Sequence, residues 1–320
     1  MAMSQLIAKT ILSNFENEKQ LTEDNVALII AAKKRIYNKR KKNLNIFVIH
    51  HEEYLDFYFL IDKLIHNLSS SVFQFLIKTS GSSDAPEGHW GFGECAWCAT
   101  TQELKIFIAD PLGLFHSEDI LLDMQKSGFN FEELSKKVNL TVYLGYDKIQ
   151  FSNNDCFYIS LDAAFMLVKQ YYFESLYQPN PSLKDFFIKN CELDLPFKFK
   201  IEILELPYRL LRITQSIKSI NEKLEKKPLL KSYKVTVKGK NFINSIFEKS
   251  ILTQFKLHNS KRINIRNRLF KEKMFNIVKN YIALFNSEEE MRISIINQRL
   301  EGLDEFIQSK PAINSYRYSI

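Results

Sequence analysis

Apolar positions along the chain alternate between two periods, and their order predicts the elements. Ile46 to Ile49, Val72 to Thr79 and Leu104 to Ala109 are short runs dense in Ile, Val, Leu and Phe, the signature of buried strands. Leu140 to Tyr146 alternates apolar and polar residues, which predicts a fourth strand. Between them, Glu53 to Leu68 and Phe129 to Leu134 carry helical spacing, as does the stripe Phe157, Leu161, Ala164, Phe165 and Val168. Ser152, Asn153, Asn154 and Asp155 interrupt the chain before that last stripe and offer N-cap side chains. Near the C-terminus, Ile277, Tyr281, Leu284 and Phe285 mark one apolar stripe, and Ile293, Ile296, Leu300, Leu303 and Phe306 another.

Composition narrows the class. With 320 residues, 45% hydrophobic and 25% charged, the chain can bury one large core or two modest ones. Apolar runs such as Val26 to Ala32 are far short of the roughly 18 to 20 residues of a membrane span, so no transmembrane segment is expected. Met1 to Asn25 is a polar leader without the basic and apolar regions of a signal peptide. Cys95, Cys98, Cys156 and Cys191 in such a chain point to free thiols in a reducing compartment. Cys95 to Cys98 is a lone C-x-x-C without a second ligand pair, so no metal site is expected, and His50-His51 reads as a strand end.

The formal net charge of +7 calls for an anionic partner. Lys33, Lys34, Arg35, Lys39, Arg40, Lys41 and Lys42 form a dense run that reads as a solvated helix face. Beyond Tyr172, Lys and Arg recur among Ile, Leu and Phe, which describes folded basic helices, with a strand candidate at Lys234 to Lys238. Neither zinc-finger spacing, an RNP sequence nor an aromatic–basic repeat is present, so nucleic acid is not the expected partner. The resulting divisions are a flexible polar leader at 1–25, a catalytic core at 26–175, a basic helical regulatory region at 176–275 and a C-terminal helical cap at 276–320.

Candidate chemistry centres on Cys156, which the pattern places in the first turn of a helix. Unpaired backbone N–H groups and the helix dipole favour a thiolate there. A thiol nucleophile needs a base, an orienting acid and oxyanion donors. His89 opens the apolar stretch after the loop Ser80 to Glu87 and is the candidate base. Asp110 ends the strand Leu104 to Ala109, within reach of an imidazole on a neighbouring strand. Gln150, six residues before the cysteine, carries an amide suited to an oxyanion.

The order His89, Asp110, Gln150, Cys156 resembles the clan CE cysteine enzymes, which contain ubiquitin-like-protein proteases and YopJ-type effectors. Ser152, Ser160 and Ala164 match the YopJ branch around its nucleophile. The resemblance spans roughly residues 26 to 270, with Leu206-Pro207, Thr214-Gln215, Leu224 and Pro228 echoing its downstream segment. It implies an α+β papain-like core, a mostly antiparallel or mixed sheet flanked by helices, and a mostly helical basic regulatory part. It further implies a bacterial effector acetyltransferase delivered into host cells by a specialised secretion system. Such an enzyme takes acetyl from acetyl-CoA through a Cys-His-Asp triad to Ser, Thr or Lys of host signalling proteins. Inositol hexakisphosphate is the implied activator, with Lys261 and Arg262 its implied contacts.

Departures from the branch keep alternatives open. Trp90 after the histidine is more usual in the protease branch, where a tryptophan holds the substrate's narrow tail, so a deubiquitinase on the same triad is the alternative. Asn153 and Phe157 stand where that branch has glycines. Arg212 occupies the place of the lysine that relatives acetylate on themselves, and arginine cannot form acetyl-lysine. A catalytically silent binding protein is a third reading, against which the intact four-residue set counts.

Overall fold

The computed structural model describes residues 21–39, 43–80, 88–150, 156–168, 188–189, 197–206, 208–211, 213–214, 217–232 and 265–309, together with Ser13. Its framework is a mixed sheet of seven strands among the described residues. In chain order they are β1 (Ile46–His50), β2 (Ser71–Lys78), β3 (Trp90–Cys98), β4 (Glu103–Ala109), β5 (Asn139–Gly145), β6 (Ile188–Lys189) and β7 (Lys200–Leu204). Their order across the sheet is β1-β2-β3-β4-β5-β7-β6. The pairs β1–β2, β4–β5 and β5–β7 are parallel, and β2–β3, β3–β4 and β7–β6 antiparallel. A mixed α+β fold is therefore present.

Ten α-helices are described: α1 (Glu23–Asn38), α2 (Tyr54–Ile65), α3 (Leu114–Lys126), α4 (Phe131–Lys137), α5 (Cys156–Val168), α6 (Tyr208–Leu211), α7 (Ile217–Lys226), α8 (Ile265–Ile282), α9 (Glu288–Ile296) and α10 (Leu300–Gln308). Helices cover both faces of the sheet, which is why β5 is buried along nearly its whole length rather than on alternate residues. On one face, Ile46, Val48, Leu76, Trp90, Phe92, Phe107 and Tyr143 meet α1, α5, α8 and α9. On the other, Phe47, Phe73, Phe75, Trp97, Ile106 and Val142 meet α2, α3, α4 and α10.

α5 is the central helix of the first face. Every residue except Asp162 is buried, so it is apolar on all sides rather than along one stripe. Residues Ser152 to Asp155, which would cap it, lie outside the described residues. α1 starts at Glu23 with Thr22 accepting the Asn25 N–H, and Leu21 is already buried, so the polar leader ends earlier than residue 25. Its basic run is not wholly solvated. Lys33 is buried with its ammonium 5.5 Å from the centre of the Phe165 ring, where the aromatic face replaces part of its hydration.

The division between 175 and 176 does not divide the sheet, because β7 pairs with β5 from Thr141 to Gly145. Nor do the two C-terminal stripes behave alike. Leu284 follows the end of α8 and Ile293 lies on the outer side of α9, and both are about half exposed. Leu300, Leu303 and Ile307 are buried, on the opposite face of the sheet from Met274, Val278 and Met291. The chain changes face at Gln298, whose carbonyl accepts the Val48 N–H of β1 at 2.8 Å. Arg299 then pairs with Asp24 of α1 and with Glu53, whose other oxygen accepts the His50 N–H. Phe306 packs on Phe47 and Phe73. Residues 300–308 are thus a packing element, and Leu303→Ala is expected to cost about 2–5 kcal/mol by leaving a buried void. Urea unfolding checks this, and a loss below about 1 kcal/mol would show that α10 is only loosely attached.

Candidate active site

His89 is fixed by the backbone on both sides. Its N–H donates to Thr79 Oγ1 at 3.0 Å and its carbonyl accepts the Thr79 N–H at 2.9 Å, closing the end of the β2–β3 ladder. Gly88 precedes it with φ +77°, and a Cβ there would sit 2.3 Å from the Thr79 carbonyl oxygen, so this approach requires glycine. β3 and β4 are antiparallel, with Phe92 opposite Ala109. That register sets His89 and Asp110 at the same edge of the sheet, on adjoining strand ends.

The Asp110 carboxylate is enclosed, and His89 Nε2 lies 2.9 Å from each of its oxygens. Oδ1 also accepts the Leu112 N–H at 2.7 Å, the local bond by which an aspartate shapes a turn. Asp110 to Gly113 is such a turn, with the Gly113 N–H bonded to the Asp110 carbonyl and Gly113 at φ +103° leading into α3.

Cys156 is the first residue of α5, as the spacing predicted, and is buried. With Nε2 engaged by Asp110, the other ring nitrogen of His89 remains for the cysteine. Burial alone would push the His89 pKa down, but hydrogen bonds to Asp110 and Cys156 and their negative charges outweigh it and raise it to about 10. The arrangement therefore favours a charged His89 ring between Asp110 and Cys156. About a fifth of the His89 side chain remains open to solvent, and the half-exposed His116 ring stands 5.8 Å from it.

Gln150 joins the same turn through the backbone. Its N–H and that of Ile149 both donate to the Pro111 carbonyl at 2.8 Å, which ties the approach to Cys156 to the residue after Asp110. The Gln150 side chain is buried. Three residues earlier, Asp147 accepts the Leu206 N–H and pairs with Lys223 of α7, each at 2.6 Å. Lys223 and Lys227 also hold Glu205, at 3.1 and 2.7 Å. Burial pushes the Glu205 carboxyl up, but the two lysines bring it below its usual range. These two members of the basic half are thus engaged by carboxylates of the protein itself.

Trp90, the residue more usual in the protease branch, touches Phe157, which stands where that branch has glycine. Their rings lie 5.6 Å apart at 64°, an edge-to-face contact that packs the first turn of α5 against the start of β3. The Ser160 hydroxyl donates to the Trp90 carbonyl at 2.7 Å. Trp90 is fully buried, with the Lys78 ammonium 6.0 Å from its ring centre. It positions the cysteine helix and offers no open face to a substrate tail.

Other candidates fall away on geometry or lie elsewhere. Cys95 and Cys98 stand three residues apart on one strand and so point to opposite faces, which prevents them from sharing a metal ion. Burial also pushes the Cys95 thiol well up. His50 ends β1 and His51 opens a 3-10 turn, as a strand end requires. Cys191, Pro207, Arg212, Gln215, Lys234 to Lys238, Lys261 and Arg262 lie outside the described residues. No group of three or more His, Cys, Asp or Glu side chains is placed to hold a metal ion, and no helix is long and apolar enough to cross a membrane, among the described residues.

A family model described as YopJ serine/threonine acetyltransferase matches residues 3–298. The fold is similar to that of AvrA delL154 solved with IP6 and CoA, at TM-score 0.54 and 15% identity over 86% of this chain and 97% of that one. It is also similar to HopZ1a solved in complex with IP6 and CoA, at TM-score 0.53 and 11% identity over 86% and 98% of the two chains. No curated protein matches the sequence.

Proposed function

The chain belongs to the YopJ serine/threonine acetyltransferase family, and on that premise we propose that it carries acetyl from acetyl-CoA to a host-protein side chain through Cys156. The observation that supports this assignment is His89 held between the Asp110 carboxylate, at 2.9 Å, and Cys156. The Cys156 thiolate attacks the thioester carbonyl, the carbon–sulfur bond to CoA breaks, and the departing thiolate takes a proton from His89. An acetyl-cysteine enzyme results. A Ser, Thr or Lys side chain then attacks that thioester while giving its proton to His89, and Cys156 leaves as the thiolate. Gln150 and a backbone N–H near Cys156 stabilise the oxyanion in both halves.

The second half follows from the first. Two of the influences that raise the His89 pKa are its hydrogen bond to Cys156 and the thiolate charge. Acetylation removes that charge. The His89 pKa then moves back down, and the same ring that was an imidazolium becomes a base for the acceptor.

Structures of AvrA and HopZ1a with IP6 and CoA support acetyl-CoA as the donor and inositol hexakisphosphate as the activator. Lys261 and Arg262 are the proposed polyphosphate contacts, by their place in the sequence. Delivery into the host cytoplasm, with host signalling proteins as acceptors, is part of the same proposal, and membership of the family supports it. The buried Trp90 weighs against the deubiquitinase alternative, which needs an exposed indole to hold a narrow tail.

The test is intact-protein mass spectrometry after incubation with acetyl-CoA, with and without inositol hexakisphosphate, on wild type and Cys156→Ala. One acetyl group on the wild type, increased by the polyphosphate and absent from Cys156→Ala, is the expected result. No adduct, together with capture of Cys156 by a ubiquitin probe with a C-terminal electrophile, would replace the transferase by the protease.

A further inference from the structure

The turn that carries Asp110 is held from beneath by one hydroxyl. Ser117, in the first turn of α3, is fully buried. Its Oγ accepts the backbone N–H of Asp110 at 3.0 Å and lies 3.2 Å from the carbonyl oxygens of both Gly113 and Gly145. A hydroxyl has one proton, so it donates to one of these carbonyls at a time while accepting from Asp110. Gly113 closes the Asp110 turn, and Gly145 is the last residue of β5, the strand that leads to Gln150. A single buried side chain therefore bonds the acid's own backbone and, by turns, the turn it shapes or the strand end that feeds Gln150.

We propose that Ser117 is a positioning residue for the triad, acting through Asp110. Its bond to the Asp110 N–H fixes the peptide from which the carboxylate projects, and that carboxylate meets His89 only if the peptide is held. Without the hydroxyl, the buried Asp110 N–H loses its acceptor, and the turn is expected to rotate to recover that bond elsewhere. Cys156 would then face a less firmly held imidazolium. The proposal rests on the reading of Cys156 as nucleophile and Asp110 as its distant support.

A double-mutant cycle on the full chain separates this role from a merely structural one. Wild type, Ser117→Ala, Asp110→Asn and the double variant are treated with iodoacetamide near neutral pH, and peptide mapping follows alkylation of Cys156. Ser117→Ala is expected to slow alkylation about tenfold in the wild-type background and less than about twofold in the Asp110→Asn background. Equal slowing in both backgrounds would make Ser117 a general packing residue and overturn the proposal. So would no slowing in Ser117→Ala, or an Asp110→Asn variant that reacts as fast as wild type. Should Ser117→Ala fail to fold, Ser117→Cys enters the same cycle with the same criteria. Alkylation needs no acetyl-CoA, so failure of the transferase reading shows separately, as a missing acetyl adduct on the wild type.

Discussion

Replacing His89 with alanine should slow acetylation of Cys156 by about 10³-fold, within the usual range for losing a positioned acid–base group. The effect is large because His89 serves both halves of the reaction and sits between its two partners, Asp110 and Cys156. The pH dependence separates the halves. In the free enzyme His89 keeps its proton up to about pH 10, so acetylation should persist at neutral pH with the ring charged. Transfer to the acceptor needs the neutral ring and should therefore fall as pH drops, leaving acetyl-enzyme to accumulate under mildly acidic conditions. Asp110→Asn removes a hydrogen bond and a negative charge that raise the His89 pKa, so the acid limb of the transfer step should move to lower pH. Rapid-quench mass spectrometry of the acetyl-enzyme across pH reads both effects. An acid limb that stays fixed in Asp110→Asn would dissociate Asp110 from the base.

Gln150→Ala should lower acetyl-enzyme formation by about 10²- to 10³-fold, the loss typical of one oxyanion donor. Its side chain is buried, and its main chain is tied to Pro111 beside the acid, so truncation removes a donor without releasing the segment. The signature is a fall in kcat with KM for acetyl-CoA changed by less than about threefold, because a donor aimed at the tetrahedral intermediate gains little in the ground state. A rise in KM with kcat preserved would instead place Gln150 among the groups that bind the ground state. Differential labelling by iodoacetamide supplies a control, since alkylation passes through no oxyanion and should change little in this variant.

Legibility varied with the range of the interactions involved. Strands β1, β2, β4 and β5 and helix α2 were readable because apolar runs, alternation and helical periods are local signals, and their ends were displaced by at most a few residues. The meeting of His89 and Asp110 was readable because each stands at the end of a strand, and strand ends on one edge converge once the register is set. What escaped was non-local. Nothing in the stretch Lys200 to Leu204 announces that it pairs with β5 rather than joining a separate helical part. Trp90 next to the histidine suggested substrate contact, whereas its contact with Phe157 across two elements makes it a support for the cysteine helix. Ser117 left a weak trace. The Asp-Pro-Leu-Gly turn signals a tight approach, but which buried hydroxyl would satisfy its N–H depends on how α3 lies under the sheet. The pairings of Lys223 and Lys227 were equally hidden, because their partners, Asp147 and Glu205, lie far from them in sequence.

The bond from Val48 to Gln298 has a consequence beyond packing. Among the described residues β1 is the outermost strand on its side of the sheet, and an outermost strand with unpaired N–H and C=O groups is a template on which another molecule can add a strand. Gln298 occupies one of those donors, and the passage of the chain from α9 to α10 lies across the place where a foreign strand would dock. The segment around Gln298 thereby obstructs edge-to-edge pairing at β1, a hazard most acute while the chain is folding and this segment has yet to dock.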